Sequence, residues 1–459
     1  MDGLLERTHL FTEIARLQGL DASVLSPQTW PFSLDWLPRA AYLVGGNVRD
    51  ALLGRHADYL DLDFVLPEGA VKIAKAIASY YHAGFVLLDA ERQIARVVFE
   101  NATVDFAQQV GGSLEEDLRR RDFTVNAIAY SPHTQEILDP LQGAIALRQG
   151  VIQMVDPENL KEDPLRLLRA YRQAAQLGFT LEPETQKTIH RFAGLLQEIA
   201  AERVQGEIGY LLSTEKGTPF LAMAWQDGLL QYWFPGTTAA GLKQLAAVDR
   251  AAIALSDTWW VKGFDLSGWL RDQQKASGTG RSWLKIAKLV CLISPDLPTA
   301  EQELWHLKYS RAEIQTALAV MQWLDKTAAS GGLSCLSLRD QFLMFRGVGA
   351  AFPALAVLAV ALNTPAAAIA PLIERFLDPT DPVAHPMPAL TGRDLMTQLK
   401  LPPGPQIGQL LEAIQLAKAE GKIQSREQAL VLAKTLIAGL SVSNHLESQP
   451  KHKLETMIE

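Results

Sequence analysis

The sequence predicts an α+β chain, a small mixed α/β head followed by an all-helical neck, body and tail. Two observations carry this. Between about residues 40 and 137, short β-prone apolar segments are interleaved with segments of helical period. After Asp156-Pro157 the strand pattern ceases, and Ala-, Leu- and Gln-rich helical segments run to about residue 440. With 459 residues, 48% of them hydrophobic, the chain is long enough for two to four domains.

In the head, the pattern predicts strands over 41–44, 61–66, 85–88, 94–99, 103–107 and 128–130, with helices over 48–53 and 70–81. The predicted division is a helical extension over 1–39, the head over 40–150, a neck over 151–215, a body over 216–377, a tail over 378–440 and a polar end over 441–459. Breaks are expected at 214–218, 278–280, 330–332 and in the Pro-rich stretch 378–388.

Composition narrows the function classes. A net charge of −8 argues against a generally basic nucleic-acid coat, though clusters such as Arg119-Arg120-Arg121 and Arg166, Arg169, Arg172 can still meet a phosphate backbone. Two distant cysteines, Cys291 and Cys335, argue for buried free thiols in a reducing cytosol rather than a disulfide framework or zinc site. The opening residues lack a basic region followed by an apolar core. No apolar run reaches the roughly 20 residues of a membrane span. A cytoplasmic protein with no membrane contact and no obligate protein partner is the expectation.

The run Tyr42-Leu-Val-Gly-Gly-Asn-Val-Arg-Asp50 reads as a strand, a double-glycine turn and a helix start. Gly45 and Gly46 let the backbone approach a phosphate there. On the next strand Asp61 and Asp63, two residues apart, project from one face and can hold a pair of hard cations for an in-line displacement at phosphorus. Asp105, in Thr103-Val-Asp105, fits a third carboxylate or a strand-edge aspartate. The arginines of Asp117-Leu-Arg-Arg-Arg-Asp-Phe-Thr-Val-Asn126 suit a triphosphate, because guanidinium offers paired donors to phosphate oxygens. In Glu162-Asp-Pro-Leu-Arg166, Asp163 and Arg166 stand at the spacing of one helical face. Such a pair could read a base edge, Asp accepting from an exocyclic amine and Arg donating to the ring. Taken alone, the pair reads more readily as an ordinary helix-start salt bridge.

Together these blocks resemble the class II tRNA nucleotidyltransferase and poly(A) polymerase family, closely over about residues 40–208. Further matching blocks are the Asp139-Pro-x-x-Gly143 turn, Leu177-Gly-Phe179 and Glu202-Arg203. The resemblance implies a tRNA 3′-end nucleotidyltransferase that transfers CMP, and AMP in members adding the whole CCA end, from CTP and ATP to a terminal hydroxyl. A poly(A) polymerase shares every catalytic motif. Two Mg²⁺ ions on Asp61 and Asp63 are implied, with Asp105 as a further catalytic candidate. Nucleotide binding falls on Gly45, Gly46, Arg49, Arg120, Asp122, Asp163 and Arg166, with Asn126 and Arg169 of the same blocks added as candidates.

Gln173 departs from the phenylalanine expected at its place, and Gln153 from an arginine. Glu202-Arg203 reads as a support for the neck helices. In the tail, Gly404 and Gly408 fit either an approach to RNA phosphates or an ordinary Pro-Gly helix start. Only Gln108–Glu116 separate the Asp105 strand from the arginine block, a shortening that resembles the CC-adding subgroup. A small-molecule nucleotidyltransferase and an inactive RNA-binding scaffold are the remaining alternatives.

Overall fold

The computed structural model describes residues 24–55, 59–261, 282–329 and 331–447. The chain divides into two compact units, Met1–Pro235 and Gly236–Glu459.

The first unit is built on a seven-stranded sheet. Its strands are β1 (Tyr42–Val44), β2 (Leu60–Leu66), β3 (Gly84–Asp89), β4 (Ile94–Val98), β5 (Ala102–Gln108), β6 (Ala129–Ser131) and β7 (Glu136–Leu138), in the spatial order β3-β4-β5-β2-β1-β6-β7. Only β2 and β5 run parallel. Helix α1 (Gly46–Leu52) follows β1, and α2 (Ala70–Tyr80) is the crossover segment that packs on β4 and β5. All but β7, which the sequence reading did not predict, agree with the sequence pattern to within two residues.

One face of β2 and β5 is apolar: Leu62, Phe64, Val104 and Phe106 are all buried. Phe64 stacks on Phe106 with ring centroids 5.7 Å apart, and Phe32 and Trp30 close over them from the N-terminal side. That aromatic layer stiffens the two strands whose other face carries the aspartates. Within the expected extension, residues 24–39 hold two single 3-10 turns, Pro27–Thr29 and Leu34–Trp36, and residues 1–23 lie outside the described residues.

Past β5 come α3 (Leu114–Arg119), α4 (Gly143–Gln149), α5 (Pro157–Glu162), α6 (Leu165–Leu177), α7 (Pro183–Phe192), α8 (Ala201–Leu212) and α9 (Thr218–Gln226). Helix α6 buries one stripe, including Leu167, Leu168, Tyr171 and Ala174, and packs on α8 and α9. One expectation fails here. Strands do not end at Asp156-Pro157, because β8 (Val151–Ile152) pairs in parallel with β9 (Thr180–Leu181). Two residues are too few to show an alternating pattern, so β9 left no trace in the sequence.

The second unit is helical: α10 (Ala239–Val261), α11 (Trp283–Leu292), α12 (Leu297–His306), α13 (Arg311–Ala329), α14 (Leu338–Val348), α15 (Phe352–Ala361), α16 (Ala366–Leu377), α17 (Gly392–Leu399), α18 (Pro405–Ala419) and α19 (Arg426–Glu447). Its core includes a fully buried Lys288 whose Nζ lies 2.6 Å from Asp249, so the charge is paired where it is desolvated. The Pro-rich stretch is tied down: Asp381 accepts hydrogen bonds from the backbone N–H groups of Val383 and Ala384 and from Arg375. The expected break at 278–280 lies outside the described residues.

Two further expectations need correction. The span Leu338–Ala361, 24 residues, has the length and composition to cross a membrane; 67% of its most apolar window is buried inside the protein, and a 3-10 turn at Gly349–Ala351 interrupts it. Its apolar character is that of a core helix pair. Cys291 is buried as expected, its thiol pushed up to about 12 by burial, whereas Cys335 is exposed.

Candidate active site

The parallel pairing of β2 with β5 sets Asp61 opposite Thr103 and Asp63 opposite Asp105. All three aspartates therefore share the face opposite the aromatic layer. Asp61 Oδ1 accepts a hydrogen bond from Thr103 Oγ1 at 2.6 Å. Asp105 is clamped by Arg96 of β4, whose Nε and Nη2 donate to its two oxygens at 2.7 and 2.8 Å. No comparable clamp holds Asp63 among the described residues. Burial, and then the charges of Asp61 and Asp105, push its carboxyl up to about 7, against smaller pulls from Arg121 and Arg96.

A carboxylate made this reluctant to ionise by burial and by acidic neighbours is one that a hard cation would relieve, and carboxylate oxygens suit Mg²⁺. Asp61 and Asp63 fit a divalent ion on that ground. Asp105 fits less well, since both its oxygens are taken by Arg96. Among the described residues no group of three or more acidic, histidine or cysteine side chains lies close enough to share one ion.

At the turn between β1 and α1, Gly45 has φ +75°, which an L side chain rarely adopts, and an added Cβ would stand 3.3 Å from Arg121 Nη1 and 3.8 Å from Asp63 Oδ2. The glycine thus leaves room between a guanidinium and the aspartate face. The sequence reading held Arg121 only as one of the arginine cluster and singled out Arg120 for the site. The structure turns Arg120 to the surface, paired with Glu162 at 2.7 Å, and brings Arg121 inward, its Nε buried without a hydrogen-bond partner. Adjacent arginines at a helix end point apart, and nothing in their spacing says which turns in. Asn47 fixes the turn from the other side, its side-chain amide donating to the Asp61 carbonyl.

Arg49 Nε and Nη2 donate to Asp50 at 2.8 and 3.0 Å, and its Nη1 donates to Asn126 Oδ1 at 2.8 Å. Asp122, only 6% exposed, sits behind it. Burial raises the Asp122 carboxyl, but Arg169 at 2.9 Å, Asn126 and the Phe123 N–H outweigh this and hold it below the usual carboxylate range. Asp122 and Asn126, which are buried, and the half-buried Arg169, all proposed from sequence as nucleotide contacts, form a network behind Arg49.

Asp163 and Arg166 differ from expectation. Asp163 has extended backbone angles at the end of α5, outside α6, so the one-face spacing argument does not apply to it. Its Oδ2 accepts from Arg203 Nη2 at 2.9 Å, while Arg166 Nη1 donates to the carbonyls of Arg120 and Asn159, each at 2.9 Å. Neither forms the helix-start salt bridge with the other. Arg203 thus ties α8 to the end of α5.

The connection from β5 to α3 is short and fastened. Glu116 Oε2 accepts from the Gly112 N–H at 2.6 Å, and Asp117 Oδ1 accepts from the Val110 N–H at 3.0 Å.

Three family descriptions match the chain: "Poly A polymerase head domain" over residues 41–153, "Probable RNA and SrmB- binding site of polymerase A" over 178–240, and tRNA nucleotidyltransferase domain 2 over 281–433. The CC-adding tRNA nucleotidyltransferase of Synechocystis is 45% identical over 415 residues, 89% of this chain and 96% of that protein. The A-adding tRNA nucleotidyltransferase of Deinococcus radiodurans is 30% identical over 441 residues, 85% of this chain and 94% of that protein. Among solved structures, a CCA-adding enzyme with ATP superposes with a TM-score of 0.65 at 19% identity, covering 96% of both chains, which speaks for the fold. On the 45% identity spanning nearly both whole chains, and on the three matched blocks in order, the chain belongs to the tRNA nucleotidyltransferase and poly(A) polymerase family.

Proposed function

We propose that the chain is a CC-adding tRNA nucleotidyltransferase: it transfers CMP from CTP to the terminal hydroxyl of a tRNA, releases pyrophosphate and stops after two cytidines. The observation that carries this reading is the fastened connection from Gln109 to Ser113. Members that add the whole CCA end have a longer flexible loop there, which helps the site change from CTP to ATP. Here five residues separate β5 from α3, and two carboxylates hold their backbone. Such a segment has little reach with which to reshape a base pocket.

Enzymes of this family generally use divalent metals, and two Mg²⁺ ions on Asp61 and Asp63 are part of the proposal. When bound, such ions would lower the pKa of the attacking hydroxyl and offset charge on the leaving pyrophosphate. The remaining roles fall to the chain itself. Gly45 and Gly46 let the triphosphate approach the backbone, and Arg121 and Arg49 meet its charge from two sides. Asp105, clamped by Arg96, sets the charge around Asp63 rather than holding an ion. Asp163, held by Arg203, and Arg166 would present acceptor and donor to the cytosine edge, and a base with oxygen at the amine position would lose that acceptor contact.

The division into head, neck, body and tail at the boundaries given above belongs to the same proposal, with tRNA contacts on the helical part and a cytoplasmic location. A poly(A) polymerase is disfavoured because the relatives matching at full length are named for tRNA end addition. The test is incubation with tRNA ending at the discriminator base, with CTP, with ATP and with both, and sizing of the products. Extension by two residues with CTP, unchanged by ATP, supports the reading; a long adenosine tail points to the polymerase.

A further inference from the structure

Gln173 lies on α6, in the stretch that follows Asp163 and Arg166, and is only 2% exposed. A buried amide in an otherwise apolar helix stripe costs free energy unless each of its groups is satisfied. Here both are. Its Oε1 accepts from Asn126 Nδ2 at 2.8 Å, and its Nε2 donates to Asp122 Oδ2 at 3.3 Å. The second donor position of Asn126 Nδ2 goes to Asp122 Oδ1 at 2.9 Å. With both its N–H donors committed, the Asn126 amide presents its oxygen to Arg49, which donates to it at 2.8 Å. Arg49 in turn lies against the glycine turn: a Cβ on Gly46 would stand 3.5 Å from its Nη2.

We propose that Gln173 is a positioning residue for the nucleotide: through Asn126 it sets the place of Arg49 at the glycine turn and ties that turn to the helix that follows Asp163 and Arg166. The inference rests on the nucleotide-transfer reading above. Among side chains of this length that stay neutral at every pH, only glutamine accepts from Asn126 and donates to Asp122 at once. A phenylalanine, the residue expected at this place, could do neither, so this chain holds its nucleotide turn by polar contacts that an aromatic residue could not supply. The network is buried, and in low dielectric its members fix one another's orientation.

Two variants test it, with titration calorimetry of CTP binding in Mg²⁺ and steady-state cytidine addition as readouts. Gln173→Leu keeps the volume, removes both contacts and leaves an Asn126 donor unsatisfied. We expect the Kd and KM for CTP to rise about five- to tenfold with kcat within about twofold, the pattern of lost binding rather than lost chemistry. Gln173→Glu has a form that copies the amide: the protonated acid accepts from Asn126 and donates to Asp122. The charges facing position 173 are Asp122 and Arg169, with Arg49 and its partner Asp50 behind Asn126. Burial and Asp122 favour the protonated form, so the ratio of the variant's CTP affinity to the parent's, taken at the same pH, should approach one at pH 6 and fall as pH rises to 8.5.

A Gln173→Leu protein with parental Kd overturns the proposal, as does a loss confined to kcat. If the leucine variant does not fold, a Gln173→Glu protein whose affinity relative to the parent's does not change with pH overturns it instead. A parent that binds CTP but extends no tRNA would refute the functional reading while leaving the binding comparison decisive here.

Discussion

Replacing Asp63 by asparagine should make the metal-free protein more stable as it destroys activity. The carboxyl is moved from its ordinary 3.8 to about 7 by burial and by Asp61 and Asp105. That shift of about three units corresponds to roughly 4 kcal/mol at 1.36 kcal/mol per unit. The folded protein holds this proton more tightly than the unfolded chain does. Stability therefore falls as pH rises from about 4 to about 7, and the whole cost is present above 7. Asparagine keeps the size and removes the charge. After relaxation of the surrounding charges we expect about 1–2 kcal/mol of the cost to be measurable at pH 8, a rise in Tm of about 2–8 °C for a unit of this length. The gap should close at pH 4. Added Mg²⁺ should raise the Tm of the parent at pH 8 but not that of the variant. Thermal melts in EDTA and in Mg²⁺ at the two pH values decide it. An Asp63→Asn protein with the parental Tm at pH 8, or with an equal offset at pH 4, would refute the reasoning.

The other predictions concern the surrounding residues. Asp61→Ala should abolish cytidine transfer with fold and tRNA binding retained, whereas Asp105→Asn, which acts through the charge around Asp63, should cost about ten- to a hundredfold in kcat; equal losses in single-turnover assays would make Asp105 a direct participant. Arg203→Ala frees the Asp163 carboxylate and should admit UTP in competition with CTP more than it weakens triphosphate binding. Unchanged exclusion of UTP counts against a base-reading role for Asp163. Gly45→Ala imposes a side chain at φ +75° beside Arg121 and should cost about 1–2 kcal/mol in stability with a raised KM for CTP, read by melting and initial rates.

Much of the site was legible because it is written in short-range patterns. The aspartates two apart define a strand face, the double glycine defines a turn, and each fell where its period placed it. What stayed hidden depends on partners distant in sequence. The clamp of Arg96 on Asp105 exists because β4 lies antiparallel to β5 with those two residues opposed, a register no local pattern states. The choice between Arg120 and Arg121 depends on how α3 ends, and Asp163 lies outside the expected helix because α6 begins only after Pro164. Gln173 was visible as a departure, but its meaning needed Asn126 and Asp122, some fifty residues earlier in the chain. Cys335 and the apolar span Leu338–Ala361 show the same limit for burial, which composition does not localise.

The claim that matters most is that addition ends at two cytidines because the segment after Asp105 is short and fastened. A tRNA already ending in CC, given labelled ATP alone and with CTP present, tests it most directly. The account predicts no transfer of label to that tRNA by an enzyme that adds two cytidines to the CC-less tRNA in the same buffer. Efficient labelling of the CC-ended tRNA would contradict it.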